Sequence, residues 1–275
     1  MSQPADEQQD NSPTGGVRYS FGYGSATTMM GSRSVAQYAT FIPHLKPGMT
    51  VLDCGCGPGT ITLGLAELDR TINITGMDFS EEQINRARGS ATEKGIGNVR
   101  FEVGSVYELP FPDNSFDAVF SNALYVHLTH PADAIRESHR VLKDGGILGI
   151  RQGVHKLDLI HPPEPKLKRW FEVYAAVLRA NGGDPDVGGR LGAMLRESGF
   201  SDVIMAASLN CHSSGPSAQG LSEQMAGLPV LGQAVESGII TEEESQEINA
   251  AWLQWGTHQD AFLARPWGEA MGWKT

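Results

Sequence analysis

The residues best suited to chemistry lie in one run, Val51-Leu52-Asp53-Cys54-Gly55-Cys56-Gly57-Pro58-Gly59-Thr60. Two apolar residues lead into an acid, three glycines alternate, and an apolar helical spacing then begins at Ile61, Leu65 and Leu68. This pattern predicts a buried parallel strand that turns sharply into a helix and leaves main chain open to a ligand. Glycine serves such a turn twice, by tolerating positive φ and by letting a ligand approach the backbone.

The details of the run restrict the ligand. A phosphate-cradling loop ends in Gly-Lys-Ser/Thr, and this one ends in Gly59-Thr60-Ile61. A dinucleotide turn needs its third glycine at position 60, where Thr60 stands. No basic residue lies inside the loop, and Asp53 precedes the first glycine by two places. Such a turn suits a ligand with a sulfonium and an α-amino group better than a polyphosphate, and S-adenosylmethionine meets that description.

Composition sets the outer bounds. The chain has 275 residues, 40% hydrophobic and 19% charged, with a formal net charge of −11. The acidic balance argues against a nucleic-acid partner, because phosphate contacts require a basic stripe. No apolar run of membrane-spanning length and no basic-then-apolar leader is visible, so a cytoplasmic protein without a membrane span is expected. Cys54, Cys56 and Cys211 lack the spacing of a metal or iron–sulfur set, so no metal is expected.

Several elements must position the glycine turn. Residues 1–16 are polar and predict a disordered tail. Residues 17–49 predict a lid and a helix. Tyr19, Phe21 and Tyr23 alternate with glycines ahead of Arg33, and the helix spans Ser34 to Ile42, burying Val35, Tyr38, Ala39 and Ile42. Strands are expected at Ile72–Met77, Asn98–Val103, Ser115–Phe120 and Ile147–Ile150, with helices between them opened by Ser80 and Pro131. Ser80 and Gln83 read as a capping box, as do Thr241 and Glu244. Further on, a helix around Trp170–Leu178, another around Leu191–Leu195, strands at Ser201–Leu209 and Ala261–Ala264, and two helices between those strands complete the reading. Together they predict an α/β fold, a doubly wound and mostly parallel seven-stranded sheet, with helical cap insertions at about 160–190 and 212–258 inside a 50–275 domain.

The pieces VLDCGCGPGT, GMDFSEEQINRAR, VRFEVGSVYELPF, FDAVFSNALYVHL and ESHRVLKDGGILGI occur in a fixed order across about residues 50–150. In these the chain resembles the class I S-adenosylmethionine-dependent methyltransferases, in particular the small-molecule branch that includes ubiquinone and menaquinone biosynthetic enzymes. The resemblance implies that Asp78 takes both ribose hydroxyls, with Phe79 against the adenine and Gly104, Ser105 and Val106 along its edge. It also implies that Gly55, Cys56 and Gly57 meet the methionine part, Asp53 anchors its amino end, and Asn122 faces its tail, with Gln83 completing the cofactor set. Ser105 stands where relatives often carry aspartate. His127 occupies the place where the transferring methyl points and is the candidate general base. Tyr23 and Arg33 are expected over the methionine end, Arg33 facing its carboxylate.

Three functions compete on the sequence. The first is transfer of a methyl group to a small, apolar or aromatic acceptor, by an enzyme that acts alone or as a homodimer. The second is methylation of nucleic acid or protein. The acidic charge opposes it, and Ser121-Asn-Ala-Leu-Tyr125 lacks the Asn/Asp-Pro-Pro-aromatic run that grips planar amino groups. The third is a protein that binds the cofactor without methyl transfer, as a cyclase or a regulatory binder.

Overall fold

Val51 and Leu52 are both fully buried although they point to opposite faces, because β1 (Thr50–Cys54) lies in the middle of a sheet covered on both sides. The computed structural model describes residues 34–154 and 157–275. In it β1 pairs in parallel with β2 (Asn73–Asp78) and β4 (Phe116–Asn122). Outside these lie β3 (Val99–Val103) against β2 and β5 (Leu142–Gly153) against β4, again parallel. With β6 (Leu159–His161), β7 (Phe200–Ser213) and β8 (Phe262–Lys274), the order is β3-β2-β1-β4-β5-β8-β6, and β7 also pairs with β8. All pairings of β8 are antiparallel.

Among the described residues the sheet has eight strands where the sequence predicts seven, because β6 (Leu159–His161) is too short to show an alternation. β8 runs for 13 residues where only Ala261–Ala264 read as strand. Pro266 and Gly268 interrupt its apolar pattern. Pro266 falls between the stretch paired with β6 and the stretch paired with β5, where its missing N–H breaks no regular ladder on that side.

The helices are α1 (Thr60–Leu68), α2 (Glu81–Glu93), α3 (Pro131–Val141), α4 (Pro165–Ala180), α5 (Leu191–Glu197), α6 (Pro216–Ala226), α7 (Val230–Glu236) and α8 (Glu242–Gly256). Three of them, not two, separate β7 from β8, since Gly227 and Pro229 divide what reads as one segment. On one face of the sheet Tyr38, Phe41, Ile61, Leu65 and Phe120 pack together; on the other Leu52, Val119, Ile135, Leu148, Trp170 and Trp252 form a larger core.

The helix expected over Ser34–Ile42 is two short 3-10 turns, Val35–Tyr38 and Ile42–His44. Tyr38 and Phe41 are buried, while Ala39 is exposed. Their rings lie 5.5 and 5.8 Å from that of Phe120, so the i, i+3 pair is what anchors this segment.

Candidate functional site

The parallel strands β1, β2 and β4 all end on one edge of the sheet, and Asp53, Asp78 and Asn122 are carried there together. Crevices at that edge are where open α/β sheets bind ligands. The glycine turn is tied to the neighbouring strand. The N–H groups of Gly55 and Cys56 both donate to the Met77 carbonyl, at 2.8 and 3.0 Å, and that of Gly57 donates to Asp78 Oδ2 at 2.9 Å. Gly55, Gly57 and Gly59 have φ of 74°, 54° and 77°, which side chains with a Cβ rarely adopt. At Gly59 a Cβ would also stand 2.8 Å from the Phe101 ring.

Asp78 is 8% exposed, and Ser80 donates its N–H to the other carboxylate oxygen at 3.0 Å. Burial raises its carboxyl above the usual range, opposed by the N–H groups of Ser80, Gly57 and Phe79. Each oxygen keeps lone-pair capacity for a further donor. Ser80 Oγ accepts from Gln83 N, as the capping box predicts. The Gln83 side chain does not reach back. It is fully buried, and neither its Oε1 nor its Nε2 has a hydrogen-bond partner.

Asn122 repeats this at the end of β4, 5% exposed with both amide atoms unpartnered. Buried amides without partners are uncommon and costly, and these two flank the glycine turn. Asp53, buried at the end of β1, accepts the Thr62 hydroxyl.

The adenine-edge candidates Gly104, Ser105 and Val106 follow β3. Gly104 N donates to the Asp78 carbonyl at 3.0 Å, and Ser105 Oγ accepts from Tyr107 N at 3.2 Å. This loop is clasped from α3. Arg140 holds Glu137 through two bonds of 2.8 Å and donates to the carbonyls of Leu109 and Phe111, while Glu137 accepts from Leu109 N. Phe79 is half-buried beside Asp78.

His127 lies in a 3-10 turn, Tyr125–His127, and is 6% exposed. Val126 fixes that turn, donating to Gln152 Oε1 and accepting from Asp184 N. Burial, then the charge of Asp53, pushes the thiols of Cys54 and Cys56 well up, which disfavours their thiolate forms. Tyr23, Arg33 and the expected lid lie outside the described residues. Among the described residues no group of three metal-ligating side chains occurs, and no helix is long and apolar enough to cross a membrane.

Sequence reasoning missed one cluster at this edge. Arg151 pairs in register with Asn122 on one side and Glu269 on the other, and its guanidinium meets Glu269, Ser208 and Asn210. The signal was available, since Arg151 directly follows the apolar strand run Ile147–Ile150 and is 2% exposed. Glu269 was hidden by the misread length of β8.

The turn, the acid at the tip of β2 and the orphaned amides fit S-adenosylmethionine: a carboxylate for two hydroxyls, open backbone beside it, and amide donors and acceptors for an amino-acid tail. Known proteins agree. Residues 45–199 match the model of the family described as "Methyltransferase domain". The chain is 32% identical over 93% of its length to a protein of Aspergillus luteorubrus named probable methyltransferase ltbC, covering 97% of that protein. It is 34% identical over half its length to the demethylmenaquinone methyltransferase of Listeria monocytogenes, covering 54% of it. The solved structure of the YcgJ protein from Bacillus subtilis shares the fold, with a TM-score of 0.60 at 18% identity over 87% of this chain and 98% of that one. The glycine turn and its tie to Asp78 are thus those of a family member: the chain belongs to the class I S-adenosylmethionine-dependent methyltransferases.

Proposed function

We infer that the chain methylates a small, apolar or aromatic metabolite by in-line displacement. The observation that carries the cofactor's placement is the pair of buried, unpartnered amides of Gln83 and Asn122 on either side of the glycine turn. Asp78 accepts the ribose hydroxyls, Phe79 lies against the adenine, and Gly104, Ser105 and Val106 border it. Gly55, Cys56 and Gly57 expose main chain to the methionine part, Asp53 orients its amino group, and Asn122 meets its tail. When bound, S-adenosylmethionine supplies an electrophilic methyl group on a sulfonium.

What the chain contributes is alignment and dryness. Holding two reactants in line is worth several kcal/mol, about 7–11 in well-oriented systems. His127 accepts the proton when the acceptor is a hydroxyl, as a positioned general base. A relative named for demethylmenaquinone supports a small-molecule acceptor.

Incubating the protein with methyl-labelled S-adenosylmethionine and an organic extract of metabolites tests the reading. Label is expected in an organic-soluble product and not in added RNA or protein. Label found only in macromolecules overturns the small-molecule assignment.

A further inference from the structure

The sheet ends in β3 on one side and in β7 on the other. β5 and β6 share one side of β8, at Trp267–Trp273 and Phe262–Ala264, and β7 takes the opposite side. The chain treats these two edges differently. β3 is five residues long and carries Arg100 and Glu102, bridged at 3.3 Å. Arg88 of α2 covers it further, donating through Nε and Nη2 to the Phe101 carbonyl at 3.2 and 2.7 Å. Shortness, charge and a covered carbonyl keep a strand edge from pairing.

β7 has little of this protection. It runs for 14 residues, and among the described residues no strand lies on its outer side. From Ile204 to Ser213 its ladder with β8 is unbroken, so alternate residues turn their main-chain N–H and C=O groups outward along the run. The register shift between Ser201 and Ile204 lies at its start, where Arg196 donates to the Val203 carbonyl at 3.5 Å. The run itself holds no Pro, Lys, Arg, Asp or Glu. The pKa of its one imidazole, His212, is lowered by burial and by Arg265, so it adds no charge at pH 7. Alternation sets Met205, Ala207, Leu209 and Cys211 on one face, all four exposed.

Charge and symmetry select the occupant. The net charge of −11 makes two copies repel overall, whereas this run carries no carboxylate. Paired antiparallel about a two-fold axis, the run lies against itself. Opposed residues share a face, so the Met205–Cys211 stripe meets its own copy. The two Asp202 carboxylates then fall at opposite ends of a ladder about 34 Å long, several Debye lengths apart at physiological salt. Ten residues opposed in this way make about ten main-chain hydrogen bonds, the number that a typical interface carries.

We propose that β7 is the interface of a homodimer, in which Ile204–Ser213 of one protomer pairs antiparallel with the same run of its partner and joins the two sheets into one. Ser208 and Asn210, which hold the Arg151 guanidinium, then lie at the seam.

Sedimentation velocity on the full chain at about 1–100 μM tests this, a range that includes the weaker interfaces of such size. A dimer is expected for the unaltered protein and for Leu253→Lys, which puts the same charge on an exposed position of α8. Leu209 is 62% exposed, so the fold does not depend on it. Leu209→Lys should weaken the dimer about tenfold or more, because each dimer gains two cations at the seam. Amide hydrogen exchange over Ile204–Ser213 of the unaltered protein should slow as concentration rises. A monomer throughout the range, or a dimer equally tight in Leu209→Lys, overturns the interface. Exchange in this run that is independent of concentration, as when another segment of the chain covers the edge, overturns it too.

Discussion

The main-chain N–H of Gly57 donates to Asp78 Oδ2 at 2.9 Å, joining the glycine turn after β1 to the acid at the tip of β2. One bond thereby sets the spacing between the open main chain of the turn and the carboxylate, the surfaces proposed for the methionine part and the ribose. It uses one lone pair of one oxygen and orients the rest of the carboxylate.

The state of that carboxylate leads to a pH dependence. Burial raises the Asp78 pKa in the folded chain above its unfolded value near 3.8. The folded state therefore holds a proton that the unfolded state has lost, so this group's contribution to stability falls as pH rises through the folded pKa. Asp78→Asn loses one of the two accepted N–H bonds but removes the titration, so its stability is expected to change less between pH 4 and pH 7 than that of the unaltered, ligand-free protein. Thermal melts across that range check it. The same variant should bind the cofactor more weakly, because the amide offers one acceptor oxygen in place of two.

The clasp on the loop after β3 should matter without touching the cofactor. Arg140 is partly exposed, so its ion pairs count for less than its bonds to the Leu109 and Phe111 carbonyls. Arg140→Met is expected to cost about 1–3 kcal/mol of stability, the scale of losing several hydrogen bonds to a charged group. S-adenosylhomocysteine affinity should fall severalfold through the loosened Gly104–Val106 stretch. Denaturant unfolding and calorimetry on one preparation separate the two effects.

Gly59 carries a different constraint. Its φ of 77° and the 2.8 Å approach of a Cβ to Phe101 act together. Gly59→Ala should destabilise the fold by about 1–3 kcal/mol, from left-handed strain and crowding of the ring. Gly95→Ala has comparable φ, 63°, with no atom within 4 Å of the new Cβ, and should lose only the smaller backbone share. Unequal denaturation midpoints for the two variants check this.

His127 is open to a kinetic test. If it takes a proton from a hydroxyl acceptor, His127→Gln should lower kcat by about 10²–10⁴-fold and leave cofactor affinity within a factor of two. An unchanged kcat would remove it from proton transfer.

Much of the site was legible because its residues sit at strand ends, where chemistry-bearing types interrupt apolar runs. Asp53, Asp78 and Asn122 each close such a run, and β1 to β4 fall where the pattern puts them. The N-terminal segment was not legible in the same way. Tyr38 and Phe41 suit an α-helix face as well as 3-10 turns, and only their contact with Phe120 decides. β8 was obscured by Pro266 and Gly268, whose fit depends on a change of partner strand that no local pattern records. Gln83 shows the limit of motif reading. Its spacing from Ser80 marks a capping box, yet its amide stays out of the cap, buried and without a partner.

The central claim is that this edge holds S-adenosylmethionine with its ribose on Asp78. Titration calorimetry of S-adenosylhomocysteine into the unaltered protein and into Asp78→Ala tests it most directly. The account predicts binding to the former and a loss of about 2–3 kcal/mol in the latter, with the fold retained, the scale of losing charge-assisted hydrogen bonds. NAD should not bind to either. Equal affinity in the two proteins would contradict the placement of the ribose, and binding of NAD without S-adenosylhomocysteine would contradict the whole site.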